Sequence, residues 1–394
     1  MKKNKLKFIN FREFLESQQA GGVILILCTI ASLLLANSPL AAEYGKFWEI
    51  ELGFEIGSLH LKHHLLHWIN DGLMAVFFLF VGLEIKRELL EGELSDIKAA
   101  LLPVLVALGG MLVPSLFYIL FNLGATGNLK GFGIPMATDI AFALGALSLL
   151  GDKIPNNLKV FLMALAVIDD LGAIVVIAVG YGSNFSVSYI LASIVVLVIL
   201  IICNRFKVKS ILVYLSLGLV LWFCMLHSGI HATIAGVLLA LCIPFDVLYS
   251  EKYTLPAWLV HHLHNPINYV IMPIFAIANT AITLSTQSIG ELNIWVSLGI
   301  FVGLFLGKVF GILGTTYFAV QTGISKLPEN VTWHHVIGMG FLGGIGFTMS
   351  IFVTTLAFSD HVLIENSKLV IILSSTLSGI VGYLYLKYIS KSLN

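Results

Sequence analysis

About twelve apolar runs divide this chain, each near the ~20 residues that a helix needs to cross a bilayer, and no other feature constrains the fold as much. They lie near 21–37, 66–84, 100–121, 135–150, 158–180, 186–203, 210–227, 229–243, 268–284, 294–316, 334–358 and 366–387. Hydrocarbon offers backbone groups no partner, so long continuous apolar runs satisfy themselves as helices. Composition agrees: 58% of the residues are hydrophobic and 11% are charged, against roughly 25% charged in a soluble domain. The connections are short, so residues 1–394 read as one all-α integral-membrane unit. Lysine plus arginine balances aspartate plus glutamate at 22 each, which leaves no net charge to attract nucleic acid. Cys28, Cys203, Cys224 and Cys242 lie inside apolar runs with no zinc or disulfide spacing, and read as small core hydrophobes.

The lysines and arginines orient the spans. One face receives Lys2, Lys3, Lys5, Lys7, Arg12 and most of the loop cations up to Lys391. The other receives Lys46, Lys62, Lys130 and Lys368 alone. Both termini therefore face the cytoplasm. The long outer loop between the first two spans alternates at Phe47–Leu52 and again at Ser58–Lys62, with Gly53 and Gly57 between, the pattern of a β-hairpin over about 45–63. An isolated hairpin is marginal in water, so this one needs a packing partner, and a second copy of the chain is a candidate.

Two spans are broken near their middles. The fourth reads Gly133-Ile134-Pro135-Met136-Ala137-Thr138-Asp139, and the eleventh Gly343-Gly344-Ile345-Gly346-Phe347-Thr348. Proline and clustered glycines loosen the helix and free backbone groups, which must then face protein, water or an ion. A matched pair of interrupted spans points to a transport site near the midplane.

Charges inside the spans mark the chemistry, because each costs roughly 2.5–3.5 kcal/mol to insert at the bilayer centre. They are Asp71, Asp139, Asp169, Asp170 and Lys308, with Glu84 and His231 nearer span ends. Asp169 and Asp170 are neighbours on a helix and diverge by about 100°, so each needs its own account. One can pair with a cation while the other lines a cavity, and Lys308 is the intramembrane cation for such a pair. Its span carries Gly299, Gly303, Gly307 and Gly311 at four-residue spacing, a stripe that lets another helix approach closely. One lysine cannot neutralise four aspartates, so the others hold protons, bind cations or face water. Burial and like-charge proximity favour the neutral form of a carboxylate, and such a group holds H⁺ or Na⁺ by turns. Asp139 and Thr138 sit where freed carbonyls add oxygen ligands. His231 reads on its own as a hydrogen-bonded packing residue, and His261, His262 and His264 as a solvated cluster in a cytoplasmic loop.

These segments resemble the NhaA family of bacterial sodium/proton antiporters. The likeness rests on Trp68–Phe78, Val81–Leu89, Ala137–Gly145, Ala164–Ala173, Ser228–Gly236 and Gly343–Ile351, and covers nearly the whole chain in order. That family is among those from which the rule of paired interrupted spans is drawn, so the rule supports the resemblance without being independent of it. The resemblance implies twelve helices with inverted repeats and electrogenic export of cytoplasmic Na⁺ or Li⁺ against external protons, serving pH and sodium homeostasis. It implies no resident cofactor. It assigns Asp170 as the main cation ligand, with Asp169 beside it as ion and proton group, and pairs Lys308 with Asp169. Asp139 and Thr138 become the residues that balance opposing helix ends, and Asp71 an accessory carboxylate deep in span two. Glu84, Arg87 and Glu88, with His231, become the pH-sensing set. The implied assembly is a homodimer through the outer hairpin, in the inner membrane.

One departure stands out. The family commonly has a glutamate before the first histidine of span nine, where this chain has Val260 before His261. That puts the carry-over of pH regulation in doubt and leaves the ion site intact. A sodium-coupled solute symporter of related fold is the alternative function, but the broken spans offer little beyond aspartate and threonine to shape around an organic substrate.

Overall fold

The apolar runs contain helices throughout the parts of the chain that are described. The computed structural model describes residues 18–53, 55–56, 59–92, 94–124, 126–182, 185–247, 249, 253–283 and 292–392. The basic stretch at 2–12 and Lys252, which bear on the orientation argument, lie outside them. In chain order the helices are α1 (Gln18–Ala36), α2 (Ala41–Trp48), α3 (Leu65–Leu90), α4 (Ile97–Asn122), α5 (Ile140–Ser148), α6 (Asn156–Gly180), α7 (Val187–Arg205) and α8 (Ile211–Leu226). There follow α9 (Ile234–Cys242), α10 (Leu255–Pro266), α11 (Met272–Asn279), α12 (Ile294–Gln321), α13 (Trp333–Gly343), α14 (Phe347–Ala357) and α15 (His361–Ser392). Among the described residues, six helices are long and apolar enough to cross a membrane, and two bent pairs pass the same test jointly: α1 with α2, and α13 with α14.

Lipid, not water, explains the outer surface. Val179 is 84% exposed, Leu212 74% and Leu373 65%, and the faces of α7 and α8 that carry Val195, Ile199 and Leu219 are bare of cover. A water-soluble chain rarely exposes apolar surface on that scale. The buried side joins Phe78, Leu83, Leu165, Phe275, Ile312, Met339 and Phe352 into one core shared by most of the helices.

Small residues set how close those helices come. The stripe on α12 lies against α4: a Cβ on Gly311 would sit 2.3 Å from the carbonyl oxygen of Gly109, one on Gly307 2.8 Å from Pro114, and one on Gly299 2.9 Å from Tyr118. α3 meets α9 in the same way, since a Cβ on Gly236 would fall 2.1 Å from the Ala75 carbonyl. Only glycine tolerates such contacts without moving a backbone. α12 widens to a π turn at Gly303–Gly307, immediately before Lys308, and α3 does so at Trp68–Leu73, around Asp71. Single π turns inside helices collect at functional positions.

Outside the helices, four two-residue strands pair as nested antiparallel ladders, β1 (Glu51–Leu52) with β4 (His63–His64) and β2 (Glu55–Ile56) with β3 (Leu59–His60). A cross-strand bridge joins Lys62 to Glu51 at 2.5 Å, and the lysine holds that carboxyl below the usual carboxylate range. Trp68 Nε1 donates to the Leu52 carbonyl at 3.0 Å and ties the ladder to α3.

The segment with His261, His262 and His264 is helical, contrary to the expected loop. Pro256 stands in the first turn of α10, where no backbone N–H is needed, and so starts the helix instead of breaking it. The three imidazoles are exposed, and Val260 is buried.

Candidate functional site

The two interrupted segments meet, and each satisfies the backbone groups that the other frees. A 3₁₀ turn at Leu129–Gly133 runs into an extended stretch, and α5 starts only after Asp139. The chain likewise breaks between α13 and α14, with a bend of 46°. Across the gap the Asp139 N–H donates to the Ile345 carbonyl at 2.6 Å. The Ser350 hydroxyl donates to the Ile134 carbonyl at 2.7 Å, and the Thr138 hydroxyl lies 2.8 Å from that of Gly343.

Asp139 joins the two positive helix ends. As the N-cap of α5, its Oδ1 accepts from the Phe142 N–H at 3.2 Å. Its Oδ2 accepts from the Thr348 N–H at 3.2 Å, in the first turn of α14, and from the Thr348 hydroxyl. One carboxylate therefore serves two helix N-termini, the arrangement in which a negative charge is best placed. The facing end of α13 presents carbonyls, and there the cation sits.

Lys308 is fully buried. Its Nζ lies 2.5 Å from Asp169 Oδ2 and 3.0 Å from the Thr138 hydroxyl. Glycines on α13 let that helix close over it: a Cβ on Gly340 would be 3.0 Å from the Val309 Cα. Thr138 has one hydroxyl proton and two acceptors in reach, Asp169 Oδ2 at 2.7 Å and the Gly343 carbonyl at 2.8 Å. Loss of either acceptor leaves the other in place, so Thr138 stays bonded whichever way Asp169 turns.

Asp170 lies beside this pair and outside it. It is 1% exposed, and its Oδ1 has no hydrogen-bond partner among the described residues; neither has Asp169 Oδ1. A buried carboxylate oxygen without a donor is too costly to persist as a bare anion, so it takes up a proton or a cation. Two adjacent carboxylates on α6, a buried ammonium, a hydroxyl and freed carbonyls thus converge on one place. These are hard oxygen donors with a counter-charge, suited to a small monovalent cation or to protons and unsuited to organic substrate recognition.

The other residues singled out in the sequence lie outside this cluster, though Glu84 acts electrostatically on Asp170. Glu84, Arg87 and Glu88 form a chain at the end of α3, with Arg87 Nη2 3.3 Å from Glu84 Oε1 and 3.6 Å from Glu88 Oε1. Beside them Lys86 Nζ reaches the carbonyls of Leu241 at 2.7 Å and Ile243 at 2.5 Å, and so places its charge on the negative end of α9. Asp71 occupies the π turn of α3 with His67 Nε2 3.1 Å from its Oδ2. His231 Nε2 donates to the Tyr181 carbonyl at 2.9 Å, in keeping with a packing role.

Three polar residues were not legible as site-related. Lys368, counted among the outer-face cations, is buried, with Nζ 3.3 Å from Asn279 Oδ1. Asn279 in turn donates to Asn70 Oδ1 at 2.7 Å, so α15, α11 and α3 are tied together next to Asp71. Thr348 was quoted only as part of a glycine-rich run, yet it supplies two of the bonds that hold Asp139. An Asn or Thr in an apolar run has no signature until its partner is in view.

Comparison with known sequences agrees with the geometry. The Na+/H+ antiporter 1 family model matches residues 12–386. The chain is 49% identical over 382 residues to the Na(+)/H(+) antiporter NhaA of Flavobacterium psychrophilum, covering 97% of each protein. It is 49% identical over 387 residues to the NhaA antiporter of Dechloromonas aromatica, covering 98% of this chain and 97% of that protein. It is 45% identical to an NhaA antiporter of Clostridium beijerinckii, covering 98% and 96%. This multi-pass integral membrane chain, with its crossed helix breaks and buried carboxylates, belongs to the Na+/H+ antiporter 1 family.

Proposed function

We propose that the chain exchanges Na⁺ or Li⁺ for protons, exporting the cation from the cytoplasm and admitting protons from outside. The observation that carries this reading is the partnerless, buried oxygen of Asp170 beside the Asp169–Lys308 pair. Na⁺ arriving at Asp170 displaces the proton there, and Asp169 turns from Lys308 towards the cation. The second proton leaves from the Asp169–Lys308 pair as Asp169 turns to the cation. Two protons for one Na⁺ make the exchange electrogenic. Asp139 and Lys308 hold the charge of the crossed helix ends constant while the site changes occupants. The printed names of the relatives favour antiport over the symporter alternative, and so does the lack of substrate-shaping polar groups at the crossing.

The finer architecture belongs to the same reading: twelve spans in inverted repeats with the fourth and eleventh interrupted, in the inner membrane of a bacterium with both termini cytoplasmic. The charge bias of the loops and the paired breaks support it. The outer ladder over 45–63 is the proposed contact of a homodimer, with membrane lipid around it. Glu84, Arg87 and Glu88 form the proposed cytoplasmic entrance and, with His231, the pH-responsive set. Val260 before His261 weakens the carry-over of pH regulation from the family to this set.

The decisive measurement is proton movement in everted membrane vesicles on addition of NaCl. Wild-type vesicles should release protons from the lumen, and Asp170→Asn vesicles should not. Sodium-driven proton flux that survives Asp170→Asn would place the exchange site elsewhere.

A further inference from the structure

The end of α3 remote from Glu84 carries ionisable groups that the exchange site does not use. His63 opens β4, just before α3, and His67 and Asp71 follow it at four-residue steps; within α3 that spacing sets His67 and Asp71 on one helix face. The His63 and His67 ring centroids are 4.3 Å apart. His67 Nε2 is 3.1 Å from Asp71 Oδ2, within reach but with its N–H not aligned on that oxygen. Exposure falls towards Asp71: His63 is half-buried, the His67 side chain is 41% exposed and that of Asp71 15%. The row therefore leads from the surface into the body of the protein.

The surrounding histidines behave differently. His231 acts electrostatically on Asp71, and His227 and His64 on His63. His231 Nε2 is committed to the Tyr181 carbonyl, His227 Nδ1 to that of Phe223 at 3.0 Å, and His64 Nδ1 to that of Glu49 at 2.7 Å. Carbonyls accept only, so these three rings have fixed tautomers. Among the described residues, neither His63 nor His67 gives a ring proton to a carbonyl. Both therefore keep the freedom to take a proton at one nitrogen and lose it from the other. Burial first, and then His67, holds the His63 imidazole below its ordinary value.

We propose that His63, His67 and Asp71 form a relay that collects protons at the outer surface and delivers them into the transporter. It rests on the antiport reading above. His63 takes a proton from water. His67 accepts it on its other ring nitrogen and, after a ring rotation that aims the Nε2 proton at Asp71 Oδ2, releases that proton there, leaving a neutral carboxyl and a neutral imidazole. The need is kinetic. At an outer pH of about 8 free protons are scarce, so a single group meets them seldom. A row of titratable groups widens that target.

The test uses right-side-out vesicles loaded with radiolabelled Na⁺ and held at a lumen pH of about 8, with Na⁺ efflux followed at outer pH of about 7 and about 8.5. His67→Gln and His63→Gln should match wild type within about two-fold at the lower outer pH and fall about ten-fold at the higher. Imidazole added outside should restore the flux at the higher pH. His63→Gln alters a surface strand, so it reads the relay even where His67→Gln disturbs packing. Flux equal to wild type at the higher pH in both variants overturns the proposal. So does a loss that is the same at both pH values and indifferent to imidazole. Wild-type vesicles that exchange nothing would instead overturn the antiport reading on which the relay rests.

Discussion

Lys308 and Asp169 hold each other in a place where neither survives alone. Both are fully buried, and the ammonium is shared between Asp169 Oδ2 and the Thr138 hydroxyl. Removing one partner of such a pair leaves an uncompensated charge and typically costs roughly 3–5 kcal/mol, whereas replacing both is far milder. Lys308→Met should therefore lower unfolding stability in detergent by about that amount, and Asp169→Asn with Lys308→Met should recover most of it. A double variant no more stable than Lys308→Met would show that the two side chains are not energetically coupled. The sequence identified both residues as out of place, because charges in apolar runs stand out against their neighbours. It left open which aspartate takes the lysine, since Asp169 and Asp170 differ only by a helical rotation of about 100°. The resemblance had assigned the pair to Asp169, and Lys308 in the structure lies against Asp169.

Helix contacts in this chain depend on absent side chains. The stripe on α12 was legible as a repeat of glycines, but its partner was not; the structure puts α4 there, with Gly109 directly opposite Gly311. Gly311→Val should force α4 and α12 apart and lower the detergent melting temperature, at an overpacking cost of roughly 1–3 kcal/mol. Gly314, one turn along on the same helix, is exposed and has nothing within 4 Å of its would-be Cβ. Gly314→Ala should be neutral or slightly stabilising, by up to about 1 kcal/mol of helix propensity. Equal losses in the two variants would mean that the effect belongs to glycine in general and not to this contact. The broken elements follow the same logic. Pro135 and the glycines around Ile345 announce that helices stop, but only the crossing explains how the freed groups at Ile134, Asp139, Gly343 and Ile345 are satisfied.

At the scale of the whole molecule, the outer ladders extend the chain beyond the bundle. They hold exposed Leu52 and are tied down by Trp68 and by the Lys62–Glu51 bridge. If this is the dimer contact, replacing residues 51–64 with a short glycine-serine linker should turn a detergent-solubilised dimer into a monomer by light scattering. A deletion that stays dimeric would move the interface to the helices. The sequence by itself determined the membrane as solvent, the positions of the apolar runs, the two interruptions and the aspartates and Lys308 that stand out inside those runs. Each is a local property: run length, backbone chemistry, or a polar residue in apolar surroundings. Only the tertiary structure decided that the interruptions cross, that Asp139 caps two helices at once, that Lys368 turns inward to Asn279, and that Asp170 keeps an oxygen without a partner among the described residues. The physical reason is that pairing is a long-range property. A carboxylate's neighbours along the chain fix its depth in the membrane, but the helices packed against it decide which charge, hydroxyl or ion it meets.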